Sequence, residues 1–323
     1  MKSIAVSVIA LAVLLAGCGK QAAEEKKASA KPRVALVMKS LANEFFKTME
    51  DGARKHNKKH ASEYELICNG IKDELDVAKQ IDVVQQMIAQ HVEAIVLAPA
   101  DSKALVSTCQ QAQKAGIVVV NIDNKLDADA LRSAGVKAPF VGPDNRKGAR
   151  LAAEVLALKL RPGDKVAVIE GAPNAYNATQ RKLGFEDAMK AAKANIVTSQ
   201  SGYWEMDKAN KLASNILAEH PDIKGLLCAN DNMALGAVAA VRAAGKAGKI
   251  DVVGFDNISA AHELVTKGEL LATVDQHADK LAIYGIEYAL HMIEAKANPK
   301  AAMARDIAAP QETPVDLITA EKK

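Results

Sequence analysis

The 323-residue chain carries 42 Lys and Arg against 39 Asp and Glu, a formal charge of +3 that becomes +2 when Lys2 leaves with a leader. So balanced a charge implies no strong field for nucleic acid or acidic lipid. The apolar share of the whole chain is 49%, and the roughly 290 residues beyond the leader are enough for two domains with sizeable cores, while aromatics are only 3%, so each aromatic in a loop calls for a reason.

Lys2 and the uncharged apolar run from Ile4 to Leu15 form a positive n-region and an h-region too brief to span a bilayer as a permanent helix. Residues 1–17 are therefore expected to be an export signal. The run ends in Leu15-Ala16-Gly17-Cys18, which resembles the bacterial lipobox, whose cysteine is diacylated and becomes the first mature residue. Cys18 is then the lipid attachment, and the small and charged residues up to 31 form a flexible tether. Cys68, Cys109 and Cys228 remain, all in apolar stretches. Buried free thiols are expected, with a Cys68 to Cys109 bridge as the alternative that sequence cannot test.

PRVALVM (32–38) is a buried-type strand, and the next helix has Phe46, Met49 and Ala53 on one face. That helix ends in KHNKKH, a solvated turn with cations on the helix dipole. His56 and His60 stand four apart, as metal ligands can, but no third ligand is in view. YELIC, EAIVLAP and IVVVNID (117–123) are further strands, each separated by a helix, making a βαβαβαβ block. NKLDADALRSAGVKAP interrupts the rhythm as an excursion or a crossing between lobes. The pattern restarts at FVGPDN and continues through the strands KVAVIEG, NIVTSQSGYW, GLLCA, IDVVGFD and ELLATVDQ with helices between, then a helix from Ala278 to Ala295 and a short extended tail.

Short buried-type runs alternating with helix-length segments read as parallel sheets with right-handed crossovers. Ligands bind outside the carboxyl ends of such strands. Asn230, Asp231 and Asp256 fall at those ends, with helix capping as the competing role, which Asp231 is expected to take. The fold class is α/β, two doubly wound parallel-sheet lobes with polar strand ends facing across a cleft. No G-x-S-x-G elbow, G-x-G-x-x-G fingerprint, phosphate loop or zinc spacing occurs, so no enzyme, cofactor or metal is expected.

SLANEFF after the first strand, NIDNKLD after the fourth, PDNRKGA, ATQRKLGF, CANDNMALGA, VVGFD and ATVDQ together resemble, in that order, the pentose- and hexose-binding proteins of bacterial ABC transporters. The resemblance covers about residues 33–318 and is nearest to the allose-binding branch, through MKSLANEFF and NIDNKLD. It implies the type I periplasmic binding protein fold with a three-crossing hinge: residues 33–143 with 277–307 in one lobe, 144–276 with 308–323 in the other. It implies that Lys39, Asn43, Phe45, Phe46, Asp123 and Asn124 line the cleft from the first lobe. From the second lobe and hinge it implies Asn145, Arg181, Trp204, Asn230, Asp256 and Gln276. Of the two phenylalanines, Phe46 lies on the apolar face and is expected in the core, Phe45 toward ligand.

A pyranose suits such a set, because aromatic plates cover its C–H faces while carboxylates, amides and arginine meet its hydroxyl edge. Asn124 stands where the ribose branch has arginine and the allose branch an acidic residue, a departure that leaves the sugar open. The resemblance implies a monomeric, exported lipoprotein of the periplasm or cell envelope that delivers a monosaccharide or polyol to a membrane permease. A chemoreceptor or histidine kinase is the alternative partner. A sugar-responsive transcription regulator shares the lobes but needs an N-terminal helix-turn-helix, where this chain has an export signal.

Overall fold

The computed structural model describes residues 31–298 and 312–320. The leader, Cys18, the tether up to residue 30 and the boundary expected at 307/308 lie outside the described residues.

The first sheet is built from β1 (Arg33–Ser40), β2 (Glu65–Ile71), β3 (Ala94–Leu97), β4 (Val118–Ile122), β5 (Phe140–Pro143) and β11 (Glu312–Thr313), in the order β11-β5-β4-β3-β1-β2. All its pairings are parallel. The crossovers are α1 (Glu44–Lys59), α2 (Val77–Ala89), α3 (Val106–Lys114) and the short α4 (Ala128–Ala134). The second sheet is β6 (Lys165–Glu170), β7 (Asn195–Ser201), β8 (Gly225–Cys228), β9 (Asp251–Val253), β10 (Ala272–Asp275) and β12 (Asp316–Thr319), ordered β12-β10-β9-β8-β6-β7. It is parallel except for β12, which runs antiparallel to β10. Its helices are α5 (Asn145–Ala157), α6 (Tyr176–Ala191), α7 (Met206–Glu219), α8 (Asp231–Ala243) and α9 (Ser259–Thr266), while α10 (Ala278–Ala297) returns to pack on α1, β3 and β4.

Central strands such as AIVL and GLLC are buried at every position, because helices cover both faces of a parallel sheet. In each sheet the order reverses beside the first strand, β1 or β6, which opens a crevice at the strand ends. The chain passes between the sheets three times, after β5, after β10 and between β11 and β12. Of the two roles expected for the segment after β4 it takes the excursion: it forms α4 and returns to the first sheet as β5, where Val141 pairs in parallel with Ile122. One expectation is corrected here. Glu312 and Thr313, expected in the second lobe, pair with Gly142 and Pro143 in the first, so the last crossing falls between Thr313 and Asp316. Cys68, Cys109 and Cys228 are free thiols, and burial raises the Cys109 thiol to about 12.

The capping roles at α8 also differ from expectation. Asn230 is the N-cap, its side chain accepting from the Met233 N–H at 2.9 Å. Asp231 instead ties three elements together, accepting from the Thr273 hydroxyl at 2.8 Å and the Ile258 N–H at 3.1 Å. Burial raises its carboxyl to about 6, against the hydrogen bonds, which lower it. A folded-state value above the unfolded 3.8 means that the folded chain binds the extra proton between them. Stability from this group is full below 3.8 and is lost as pH rises toward about 6, by about 3 kcal/mol. Asp231→Asn should flatten that part of the slope in urea midpoints measured from acid to neutral pH; an unchanged slope would show that Asp231 stays ionised throughout.

Candidate functional site

The strand ends of the two sheets converge on one cavity lined from both lobes. From the first lobe come Lys39 at the end of β1, Glu74 after β2, Asp123 after β4, and Asn43, Phe45 and Phe46 at the start of α1. From the second come Asn177 and Arg181 one turn apart on α6, Trp204 between β7 and α7, Asn230 before α8 and Asp256 after β9, with Gln276 at a crossing.

The first wall is a charged cluster. Lys39 Nζ lies 3.1 Å from Asp123 Oδ2 and 3.7 Å from Glu74 Oε2, and Asn43 Nδ2 donates to Glu74 Oε1 at 2.9 Å. Burial acts to lower the Lys39 pKa, but the carboxylates of Asp123 and Glu74 outweigh it and hold the ammonium charged. Glu74 is pushed upward by burial, with Lys39 and Asn43 opposing.

The second wall is organised by Arg181. Its Nε donates to Asn145 Oδ1 at 2.8 Å, its Nη1 donates to the Ala229 carbonyl at 2.8 Å and to Asp256 Oδ1 at 3.3 Å, and its guanidinium stacks 3.7 Å from the Phe255 ring centroid. Gln276 Nε2 donates to the same Asp256 oxygen at 2.7 Å. Burial pushes Asp256 well above the ordinary carboxylate range, although Arg181 opposes it.

Aromatic rings close the remaining sides. Phe45 and Phe46 meet edge to face at 5.1 Å, and both line the cavity, so Phe46 is not confined to the core as its helical position suggested. Trp204 is 4% exposed and backs onto Gly171, where a Cβ would stand 2.0 Å from the indole. The ring faces Lys39 at 5.6 Å and Arg181 at 5.7 Å. Asp123 (φ 61°), Trp204 (φ 69°) and Asp256 (φ 121°) all hold positive φ, a conformation that costs a non-glycine residue on the order of 1–3 kcal/mol and collects at functional sites.

Buried polar atoms are nearly always hydrogen-bonded. Here Asp123 Oδ2, Asn177 Oδ1 and Gln276 Oε1 accept no hydrogen bond, and all three residues line this cavity. For Asp123 Oδ2 the Lys39 ammonium 3.1 Å away is a charged partner, so the two amide oxygens are the ones left unmet.

Ten of the twelve side chains named from the sequence surround this space. Asn124 and Asn145 do not. Asn124 is held by other bonds, its Nδ2 donating to the Pro99 carbonyl at 2.9 Å and its Oδ1 accepting from the Asn177 N–H at 3.2 Å. Asn145 sits behind Arg181 and fixes its orientation. Glu74 and Asn177 were missed: Glu74 follows a strand end, the signal used elsewhere, and Asn177 precedes Arg181 by four on the same helix face. Among the described residues no group of three His, Cys, Asp or Glu could hold a metal. His56, one of the spaced pair, contacts Tyr64 and Glu287 instead.

A periplasmic binding protein domain model matches residues 34–297. The D-ribose/D-allose-binding protein of Pseudomonas aeruginosa is 53% identical over 323 residues, 99% of this chain and 100% of the relative. A solute-binding protein of an ABC transporter from Burkholderia multivorans, with an unknown ligand represented as alpha-D-erythrofuranose, matches with a TM-score of 0.84 at 57% identity, over 90% of this chain and 100% of that one. A periplasmic solute-binding protein of an ABC transporter from Actinobacillus succinogenes with bound D-allose gives 0.81 at 38% identity, over 90% and 98%. Two parallel-sheet lobes and a family match across both of them lead to one conclusion: the chain belongs to the periplasmic binding protein family, in its type I form, whose members here are exported binding proteins of transport and not enzymes.

Proposed function

We propose that this protein is the solute-binding lipoprotein of an ABC transporter. It captures one monosaccharide of the D-allose or D-ribose kind between its lobes and delivers it, as a monomer anchored through diacylated Cys18, to a membrane permease. The observation that carries the reading is the convergence of two unpartnered buried acceptors, Asn177 Oδ1 and Gln276 Oε1, between aromatic plates from both lobes. Each such acceptor costs about 1–3 kcal/mol until a donor arrives, and a sugar hydroxyl both donates and accepts.

Charge narrows the class. Two cations, Lys39 and Arg181, face three carboxylates, Glu74, Asp123 and Asp256, two of which burial pushes toward neutrality. With no surplus of positive charge the cavity suits an uncharged ligand.

Aldoses, ketoses and polyols, headed by D-allose and D-ribose, should be screened by thermal shift. A ligand at about 100 times its Kd adds about 2.7 kcal/mol and should raise Tm by about 5 °C or more. Small-angle scattering with the same sugar should show compaction. No shift with any neutral sugar or polyol would overturn the reading.

A further inference from the structure

Three helices of the second lobe, α6, α7 and α9, begin without a hydrogen bond from their own N-cap side chain, and in α6 and α9 the N-cap is apolar. The N-cap of α6 is Ala175 and that of α9 is Ile258, neither of which can accept a hydrogen bond, whereas Asn43, Asp76, Asp127, Asp144 and Asn230 cap their helices. At α6 and α9 the unmatched donors are met from the first lobe. The Tyr176 N–H donates to Ser102 Oγ at 3.0 Å and the Asn177 N–H to Asn124 Oδ1 at 3.2 Å. The Ser259 N–H donates to Glu44 Oε1 at 2.8 Å, and the Ser259 hydroxyl donates to the same oxygen. Asn174 adds a third tie, its Nδ2 donating to Asp101 Oδ2 at 2.6 Å and its carbonyl accepting from the Ser102 N–H at 3.1 Å. Neither Glu44 nor Ser102 lines the cavity.

We infer that these caps, supplied in trans, are the closure clasp of the protein: Glu44, Ser102 and Asn124 are positioning residues that hold the second lobe over the ligand by capping α6 and α9 only while the lobes meet. The inference rests on the capture reading, in which the lobes part and close. When they part, the helix ends return to water, so each cap counts toward the closed state alone. The Glu44 carboxylate gains further from the positive end of α9. A ligand gripped by both lobes has an apparent affinity scaled by the closed fraction, so loss of a cap weakens binding without removing any ligand contact.

The test uses the mature chain carrying Glu44→Ala, Ser102→Ala or both, titrated with D-allose and with D-ribose by the fluorescence of Trp204, the one tryptophan. Each single variant should bind about three- to tenfold more weakly, nearly all of it as faster dissociation, and the double variant by about the product. Glu44→Gln, which keeps an acceptor oxygen, should recover most of the loss, and sugar-free melting should match the wild type. Unchanged dissociation, or a deficit mirrored in sugar-free melting, would overturn the clasp. Spin labels on the two lobes give a readout without sugar: the double variant should lose short-distance population, and identical distributions overturn the clasp. A wild type that binds neither sugar yet loses that population on double substitution would sink the sugar reading and leave the clasp standing.

Discussion

Lys39→Met should cost about 3–5 kcal/mol of unfolding free energy at neutral pH, read from urea denaturation, because it leaves Glu74 and Asp123 buried without their cation. Lys39 is 3% exposed, so water cannot take over. The deficit has a pH signature. In the wild type the lysine pKa is raised above 10.5, so its contribution is complete below that value and is lost only as pH rises through the raised one. The lysine's own contribution is therefore flat across neutral pH. In the variant, Glu74, already pushed upward by burial, takes up a proton as the solution is acidified and relieves the repulsion. The deficit should shrink from pH 8 to pH 5, and an equal deficit at both would contradict a buried charge cluster.

Trp204→Ala should weaken sugar binding by at least about 2 kcal/mol, about thirtyfold in Kd by calorimetry. An indole presents 150–250 Å² in all, and about half of that area against a sugar face amounts to about 2–3 kcal/mol. The substitution also opens a cavity costing about 3–5 kcal/mol of stability, so titrations belong well below the variant's melting temperature. Gly171→Ala separates the two effects: its new methyl would lie 2.0 Å from the indole and push the ring into the ligand space without deleting it. It too should lose binding. Near-wild-type titrations for Trp204→Ala would mean that the ligand does not stack there.

Most of the architecture was legible because parallel sheets covered on both faces need continuous apolar runs, and runs such as AIVL and GLLC stand out between helix-length segments. Sheet membership was harder where strands are short. β11 has two residues, too few for any pattern, and only its pairing with Gly142 and Pro143 assigns it to the first sheet. The cavity lining followed from strand ends and motif order, but side-chain direction did not. Asp123 takes a left-handed turn, which points its neighbour Asn124 back toward the Pro99 carbonyl instead of into the cleft. Asn145 opens α5 under the Asp144 cap and spends its oxygen on Arg181. Glu74 lies in a loop of charged residues where its one buried position had no periodic signature.

The strained φ angles at Asp123, Trp204 and Asp256 bear on how this protein can change. Glycine would relax each backbone by about 1–3 kcal/mol, less than is lost with the packed indole of Trp204 or with the carboxylates that pair Lys39 and Arg181, so a directed-evolution campaign scored on heat resistance alone would leave these three residues in place. Its thermostable winners would keep their grip on cargo and gain robustness at positions remote from the strand tips.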